Sequence, residues 1–392
     1  MKFFELTELS SPMPYLLRVL EIVGLRGSYT QQARFVILAL WSVLIIVIPK
    51  VFLGYRGQID LMIRGLSELV FQLHQHVRMA IIYWQMAELE EIVKILKKVF
   101  NNVRATGLDG ELNNMVDETN RKVDRSAKMY SIYVTIAVNV FFICPVLQTV
   151  AVCFINRNRN ATESIDYILT MEQEFYGLNI HKNLLHYAIF EFCIGIVHYW
   201  TAVSFTLGGI VVYCPIAYIM LIFKMVTTRL EKLHRLSGAA LQHEVSNVID
   251  LHLDGLKCIE HLERIVTLPM LSQLFAFVLI LSLMVLYIRN NLDLNAVSLA
   301  VLLIVVTAET YKICDLTTNL SMESFAVADA IYNSTDWYRL PADTQKALSM
   351  MLLRAQKREG VTAAKFSYMD IERFGKVVQT SYSIYIVLKD SI

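Results

Sequence analysis

The chain has 392 residues, of which 55% are hydrophobic and 18% are charged. Soluble domains carry about 25% charged residues, so this composition indicates a membrane protein. The formal net charge is +1, which gives no electrostatic basis for binding nucleic acid. The six cysteines show no CxxC spacing, so neither a disulfide scaffold nor a zinc ribbon is expected.

Seven apolar segments are long enough to cross a bilayer, which takes about 20 residues in a helix. The second is the weakest, because it contains Arg64, Glu68, Arg78 and two histidines. In chain order the segments are Phe35–Leu53, Leu61–Trp84, Met129–Ile155, Leu184–Phe223, Ile265–Ile288, Leu294–Cys314 and Phe366–Leu388. The sequence therefore predicts an all-α, polytopic protein with seven transmembrane helices.

The fourth segment decides the orientation, because it is long enough for one crossing or for a hairpin that turns at Gly208-Gly209 or Pro215. Lys and Arg are concentrated in the segments that follow spans two, four and six. A single crossing places all three segments in the cytoplasm, as the positive-inside rule requires. We therefore predict a cytoplasmic N-terminus and an extracellular C-terminus. Asn160, which heads a glycosylation acceptor, then lies in an outside loop.

Four regions follow from this topology. Residues 1–33 form a cytoplasmic N-terminus without a signal peptide, in which the apolar stretch Pro14–Leu25 predicts a short interfacial or re-entrant helix. Residues 34–315 contain spans one to six with long cytoplasmic helix extensions. Residues 316–365 form a cytoplasmic anchor region, and residues 366–392 form the seventh span and the extracellular C-terminus.

Three predicted cytoplasmic segments carry apolar residues at helical spacing among charged ones, and they span 88–128, 230–262 and 343–358. Such stripes are buried when helices pack on each other or on a partner chain, so we predict a compact helical base under the bilayer. The alternative is that these helices lie flat on the lipid headgroups.

The sequence lacks the common nucleotide, hydrolase and metal motifs, so we expect neither an enzyme nor a bound cofactor or metal. Ionisable residues inside the predicted spans are informative, because they are costly in a bilayer. Glu309 and Lys312 lie three residues apart on one helix face, which fits an ion pair or an ion pathway. His198 is either a donor in a binding pocket or a packing residue. The other such residues are Arg64, Glu68 and Glu191.

The seventh span carries a polar stripe along one side, formed by Lys376, Thr380 and Ser383. Lipid would leave these groups unpaired, so the stripe should face water or a polar partner. Ile384, Val387 and Leu388 continue that side as an aliphatic constriction of the kind that gates a pore by dewetting. One helix cannot enclose a pore, so several subunits would be needed. Alternatively, each hydroxyl bonds back to its own helix.

The C-terminal third contains the run SMESFAVADAIYNSTDWYRLP, followed by LLRAQKREGVTAAKFSYMDIERFGKVVQTSYSIYIVLK. These runs resemble the conserved C-terminal sequence of insect odorant receptors. The seven-span layout of the whole chain also resembles that of these receptors, but less specifically. The ending TSYSIYIVLK lacks the TYhhhhhQF pattern of gustatory receptors. The region between spans four and five lacks the long insertion of the olfactory co-receptor. The chain is therefore similar to a ligand-specific tuning subunit.

The resemblance implies a ligand-gated, non-selective cation channel that forms a heterotetramer with the olfactory co-receptor. It also implies a place in the plasma membrane of the olfactory neuron dendrite, in contact with membrane lipid, and a small volatile organic ligand. In the family the last half of span seven lines the pore. An ungapped match of the last ten residues of this chain to the end of the co-receptor places the aliphatic gate at Ile384. Thr380, Val387 and Leu388 then also face the pore axis.

The resemblance further implies an odorant pocket among the outer halves of spans two, three, four and six. With the predicted direction of each span, these halves form a mainly apolar, aromatic-walled cavity that suits an uncharged volatile. The candidate residues are Val70, Phe71, His74, Phe142, Pro145, Val146, Phe190, Ile194, His198 and Leu302. Each of them taken alone is more typical of a packed core than of a ligand contact.

Other membrane protein classes fit the seven spans less well. A G-protein-coupled-type chemoreceptor should carry Asp-Arg-Tyr after its third span and NPxxY in its last, but Asp124-Arg125 precedes Ser126 and NPxxY does not occur. A secondary transporter should have inverted repeats, and the sequence has no such halves. A gustatory-receptor-like channel remains an alternative.

Overall fold

The computed structural model describes residues 11–55, 57–106, 110–158, 166–291, 294–334 and 337–391. Within these residues the fold is all-α. The helices are α1 (Pro14–Val23), α2 (Tyr29–Ser42), α3 (Ile59–Trp84), α4 (Met86–Thr106), α5 (Gly110–Asn158), α6 (Leu184–Lys232), α7 (Gly238–Asn290), α8 (Leu294–Ser334), α9 (Ala342–Ala355) and α10 (Ile371–Ser391).

Several shorter elements complete the described chain. Helix α2 continues in the π-helical segments Val43–Val47 and Pro49–Leu53. Two 3-10 turns, Leu233–Arg235 and Trp337–Arg339, follow α6 and α8. Strands β1 (Thr362–Ala363) and β2 (Ser367–Tyr368) pair in antiparallel fashion, with Thr362 opposite Tyr368.

The seven predicted spans lie in α2, α3, α5, α6, α7, α8 and α10. Five of these helices are long and apolar enough to cross a membrane by composition alone, whereas α3 and α10 are more polar. We call the end of the bundle near residues 166–183 the loop end. We call the opposite end, where α4 and α9 pack, the base.

The long fourth segment is one continuous helix, so the hairpin alternative is wrong. Asn183 caps α6, because its side chain accepts hydrogen bonds from the backbone N–H groups of Leu185 and His186. The helix then continues through Gly208-Gly209 and Pro215 to Lys232. Its middle is buried almost throughout, so α6 lies at the centre of the bundle.

The last helix begins later than the sequence predicts. The predicted span starts at Phe366, but α10 starts at Ile371, because β2 and a turn occupy the residues before it. The Asp370 side chain accepts a 2.8 Å hydrogen bond from the Arg373 backbone N–H and so caps the helix. The prediction from hydropathy extended the span into strand β2, which pairs with β1.

Apolar side chains form two buried clusters. The base cluster joins α1 and α4 to the base halves of α6, α7 and α8, and it includes Ile92, Leu96 and Leu348 from the predicted amphipathic stripes. The loop-end cluster joins the other halves of the spans and one face of α10. The segment 88–128, predicted as one helix, contains nearly all of α4 and the start of α5.

The short helix α1 packs on protein along one face. Tyr15, Leu16 and Leu20 are buried, and the helix contacts α6, α5 and α2. The backbone N–H of Met13 donates a 3.2 Å hydrogen bond to the hydroxyl of Tyr218 on α6. The N-terminal apolar stretch is therefore part of the base cluster.

Candidate functional site

One face of α10 is fixed against α7 and α8. Val377 and Ser381 are buried, and Phe374 packs on both apolar clusters. The hydroxyl of Ser282 on α7 donates a 2.8 Å hydrogen bond to the carbonyl of Ser381. These contacts set the rotation of α10 about its axis, and hence which side chains point away from the rest of the chain.

The predicted polar stripe lies on the opposite face. Lys376, Thr380, Ser383 and Val387 are exposed. The Thr380 and Ser383 hydroxyls donate to the carbonyls of Lys376 and Gln379, at 2.9 and 3.1 Å, so the back-bonding alternative is observed. The hydroxyls therefore need no outside partner, and exposure is the property that distinguishes this face.

The aliphatic residues at the loop end of α10 divide between the two faces. Val387 is 64% exposed and continues the stripe. Leu388 packs against the loop-end cluster, and Ile384 is half-buried. Within this chain Leu388 thus lies closer to the packed face than to the stripe.

A small enclosed cavity of about 30 Å³ lies between α3, α5, α6 and α8 in the loop-end half of the bundle. Three of the predicted pocket residues line it, namely Phe71, His198 and Leu302. The walls are otherwise mostly apolar, and Thr201 contributes a hydroxyl group. Such a cavity favours an uncharged ligand with few polar groups.

A wider groove of about 420 Å³ runs between α5 and α6 beside this cavity. Val138 and His198 line both spaces, and Phe142 lines the groove. The ring of His198 lies 4.9 Å from the ring of Phe142 and 5.7 Å from that of Phe141. These three rings therefore form the partition between the groove and the cavity.

The remaining predicted pocket residues lie elsewhere. His74 places Nδ1 2.9 Å from the hydroxyl of Ser272 on α7. Phe190 packs edge-on against Phe175 in the loop-end segment, with ring centroids 5.1 Å apart. Val70 and Ile194 pack in the loop-end cluster without lining the cavity. Pro145 and Val146 lie on α5 and do not line it either.

Several residues that line the cavity were not predicted from the sequence. On α5 the lining residues are Val134, Ala137, Val138 and Phe141, so the cavity lies deeper in the bundle than the predicted Phe142, Pro145 and Val146. The helical spacing of these residues identifies the buried face of α5. Periodicity does not show, however, how far along the helix the cavity lies. Met171 comes from the segment 166–183, where no sequence pattern predicted a contact.

Charged residues hold that segment against the ends of α2 and α3. Glu68 accepts from Lys50 at 2.7 Å and from Arg64 at 3.0 Å, and all three side chains are buried. Arg64 also donates to the carbonyls of Leu169 and Thr170, each at 2.9 Å. Because Glu68 lines the cavity and Met171 belongs to the held segment, this network closes the loop end of the cavity.

Two further expectations can be compared with the structure. Glu309 does not pair with Lys312, which contacts Asp315 instead, because Arg78 reaches Glu309 across the bundle at 2.9 Å. Glu191 accepts hydrogen bonds from the backbone and hydroxyl of Thr170. Asn160 lies outside the described residues.

The comparisons with known proteins agree with this architecture. The insect olfactory receptor OR5 from Machilis hrabei in complex with eugenol is similar in fold, with a TM-score of 0.78 and 11% identity over 96% of this chain and 98% of that chain. A second structure of the same receptor gives a TM-score of 0.76 and 11% identity, over 95% and 97%. The family model described as 7tm Odorant receptor matches residues 58–382. The resemblance noted in the sequence is thus confirmed, and the chain belongs to the 7tm odorant receptor family.

Proposed function

We propose that the chain is the ligand-specific subunit of an odorant-gated cation channel. Its membership in a receptor family supports a binding function rather than an enzymatic one. The observation that carries the proposal is the exposed stripe of α10, which keeps polar groups on the outside of an otherwise apolar bundle.

The enclosed cavity is the proposed odorant site. Its walls match a small volatile organic molecule, and Thr201 is its main neutral polar group. A volume of about 30 Å³ holds no more than one or two water molecules, so a ligand requires the ring partition of Phe141, Phe142 and His198 to move. Binding then favours whichever arrangement of α5 and α6 holds the larger cavity.

The proposed pore is lined by the exposed face of α10 from four subunits. Lys376, Thr380 and Ser383 face the conduit, and Ile384 and Val387 form its aliphatic constriction. Because one such helix encloses nothing, the pore requires neighbours, and we propose a heterotetramer with the olfactory co-receptor. The proposed location is the plasma membrane of the olfactory neuron dendrite, with the N-terminus in the cytoplasm.

Two serines on α10 provide a matched test. Ser383→Cys places a thiol on the exposed stripe, and Ser381→Cys places one on the face packed against α7. In cells that also express the co-receptor, a charged thiol reagent should reduce the odorant-evoked current of the Ser383→Cys receptor. The Ser381→Cys current should be unchanged, since Ser381 is 1% exposed.

The same recordings test the ligand and the partner. A panel of volatiles should evoke current in cells that express both subunits and none in cells that express this chain alone. Equal modification of both cysteine variants, or modification of Ser381→Cys alone, would contradict the assignment of the pore face. Currents that require a G protein would contradict the channel proposal itself.

A further inference from the structure

His198 lies on the boundary between the enclosed cavity and the groove, and its ring lines both of them. The residue is 6% exposed, and its ring packs against the rings of Phe141 and Phe142. It is the polar member of this partition, so a ligand that enters the cavity past the partition meets its ring. The hydrogen-bonding state of the ring then decides which functional group of a ligand it can bind.

The hydrogen bond that His198 already makes fixes the tautomer of its ring. Nδ1 lies 3.1 Å from the carbonyl oxygen of Ile194, one turn earlier on α6. A carbonyl oxygen only accepts, so Nδ1 carries the proton of this bond. A charged imidazole would lose its hydration between two aromatic rings, so the ring is neutral and Nε2 holds a lone pair. Toward a ligand, His198 is therefore a hydrogen-bond acceptor.

The Nε2 atom of His198 is also accessible. In His76 and His252 the corresponding atom is enclosed by protein and has no hydrogen-bond partner, but Nε2 of His198 is not enclosed in this way. Among the described residues no hydrogen bond uses this atom, since the bond of the ring is made by Nδ1. An open acceptor on the wall of an apolar space is satisfied when a ligand brings a donor.

The hydroxyl groups near the partition do not compete with a ligand as donors. Thr201 donates to the carbonyl one turn earlier on α6 at 2.9 Å, and Thr135 does the same on α5 at 2.8 Å. Asn139 and Tyr199 are exposed at the rim of the groove, and Thr206 lies two turns beyond the partition on α6. The partition thus presents lone pairs to a ligand rather than N–H or O–H groups.

Phe142 is the part of the partition that is free to move. Its ring is half-buried, and a Cβ added at Gly195 would lie 3.6 Å from its Cζ, so the glycine leaves space beside the ring. A phenyl ring has no hydrogen bond to hold it, whereas His198 is tethered to the Ile194 carbonyl. Rotation of Phe142 would join the cavity to the groove and leave His198 on the wall of the combined space.

We infer that His198 determines the ligand specificity of the receptor, because its Nε2 accepts a hydrogen bond from the hydroxyl group of a volatile alcohol or phenol. This inference rests on the proposed odorant site and names the class of compound that the site takes. Esters, ketones and ethers offer only lone pairs, which would face the lone pair of Nε2. A charged amine would lose its hydration against the apolar walls.

Equilibrium binding tests this specificity without channel current. The full-length chain is purified in its native assembly and placed in nanodiscs. Tritiated octanol, phenylethanol and ethylphenol are each compared with the corresponding methyl ether, and empty nanodiscs correct for partition into lipid. At least one hydroxyl compound should bind at least about fivefold more tightly than its ether, since the ether leaves a buried acceptor without a donor.

Two histidine variants locate the preference. His198→Phe keeps a ring in the partition and removes the acceptor, so it should weaken binding of the hydroxyl compound about fivefold and change binding of the ether by less than about twofold. His76→Phe is the matched control and should keep the wild-type preference. Nδ1 of His76 also meets a carbonyl one turn earlier, at 2.7 Å, but its Nε2 is enclosed by protein. If His198→Phe does not fold, His198→Leu, which also lacks an acceptor, replaces it.

The outcomes distinguish this inference from the channel proposal. A preference for the hydroxyl compound that survives His198→Phe, is lost equally in His76→Phe or is absent from every pair would overturn the inference. So would an equal loss of both members of a pair in His198→Phe, because His198 would then only support packing. Hydroxyl-selective binding without odorant-evoked current would contradict the channel proposal alone, and current without hydroxyl selectivity would contradict this inference alone.

Discussion

Helices α3 and α10 are the two least apolar of the seven spans, and they place their polar side chains in opposite directions. In α3 the charged and amide side chains Arg64, Glu68, Gln72 and Arg78 are all buried within the chain. In α10 the polar side chains lie mainly on the exposed face, and Val377 and Ser381 alone are buried. Low hydropathy therefore has two different structural causes in one bundle.

The difference lies in where the partners of the polar groups are found. Those of α3 are in the same chain, as with Gln72, which donates to the Ser42 hydroxyl at 2.7 Å, and Arg78, which pairs with Glu309. The stripe of α10 has no such cross-bundle partners among the described residues. The polar side chains of α3 thus hold the fold together, whereas the exposed stripe of α10 does not contribute to holding it.

Removing one carboxylate from α3 and one from α10 should give the largest difference in stability between the two helices. Glu68→Ala leaves Lys50 and Arg64 buried without the carboxylate that they share, and breaking a buried ion pair costs about 3–5 kcal/mol. Glu372→Ala removes an exposed partner of Lys376 on α10, for which about 0–1 kcal/mol is expected. Thermal unfolding of both purified receptors measures the difference. Equal losses of stability would show that α3 and α10 are not distinguished by burial.

Substitutions at two glycines of α6 test whether the ion pair of Arg78 on α3 requires the close approach of α3 to α6. Gly208→Ala would place its Cβ against the Arg78 guanidinium and displace it from Glu309, with an expected loss of about 1–3 kcal/mol in unfolding free energy. Gly195→Ala meets the Phe142 ring at 3.6 Å, an ordinary contact, and should be neutral or stabilising by up to about 1 kcal/mol. A Gly208→Ala receptor as stable as the wild type would contradict this account of α6.

The sequence predicted those features that depend on local pattern. Apolar runs placed all seven spans, and helical spacing found the stripes of α4 and α9 and the polar face of α10. The family resemblance, combined with the predicted direction of each span, supplied Phe71, His198 and Leu302, three residues that line the enclosed cavity.

The features that it missed depend on contacts between distant segments. Arg78 and Glu309 are 231 residues apart, so nothing local indicates that they pair. Met171 reaches the cavity because Arg64 and Lys50 hold its segment, and this too is a long-range effect. The depth of the cavity along α5 follows from the tilt and offset of packed helices, which a one-dimensional pattern does not contain.

Glu88 is a partly exposed carboxylate just beyond α3. Its contribution to stability should lie between that of the buried Glu68 and that of the exposed Glu372. Glu88 on α4 lies 2.6 Å from Nδ1 of His261 and 3.3 Å from Arg264 on α7. The hydrogen bond from His261 lowers the pKa of Glu88 below its ordinary value of 4.5. A lowered carboxyl pKa stabilises the fold above that ordinary value, and the contribution is lost as the pH falls through the lowered pKa.

The pH dependence of thermal unfolding measures this contribution. Glu88→Gln should lower stability by less than about 1 kcal/mol at neutral pH, and the difference from the wild type should shrink as the pH falls below about 4.5. Glu91→Gln, an exposed neighbour on α4, serves as the control and should show no such convergence. A difference that grows toward acid pH would mean that the His261 contact does not stabilise the carboxylate.

The smallest expected effect is an electrostatic change in ion conductance caused by a charge on the exposed face of α10. Lys376 lies on the stripe, and Lys389 is exposed on another side of the helix near its loop end. If the stripe lines the pore, Lys376→Gln removes a cation from the path and leaves Glu372 without its partner. A unit charge about 10 Å from a permeating ion in water contributes about 0.4 kcal/mol, or about twofold in local cation concentration.

Single-channel conductance in the heteromer is the matching measurement. Lys376→Gln should raise it by about twofold at low salt, and the gain should vanish near 1 M salt, where the screening length falls to about 3 Å. Lys389→Gln should leave conductance unchanged at every salt concentration. If the two variants behave alike, the exposed polarity of α10 does not face permeating ions. Its polar side chains would then have to be satisfied at protein interfaces, as those of α3 are within the chain.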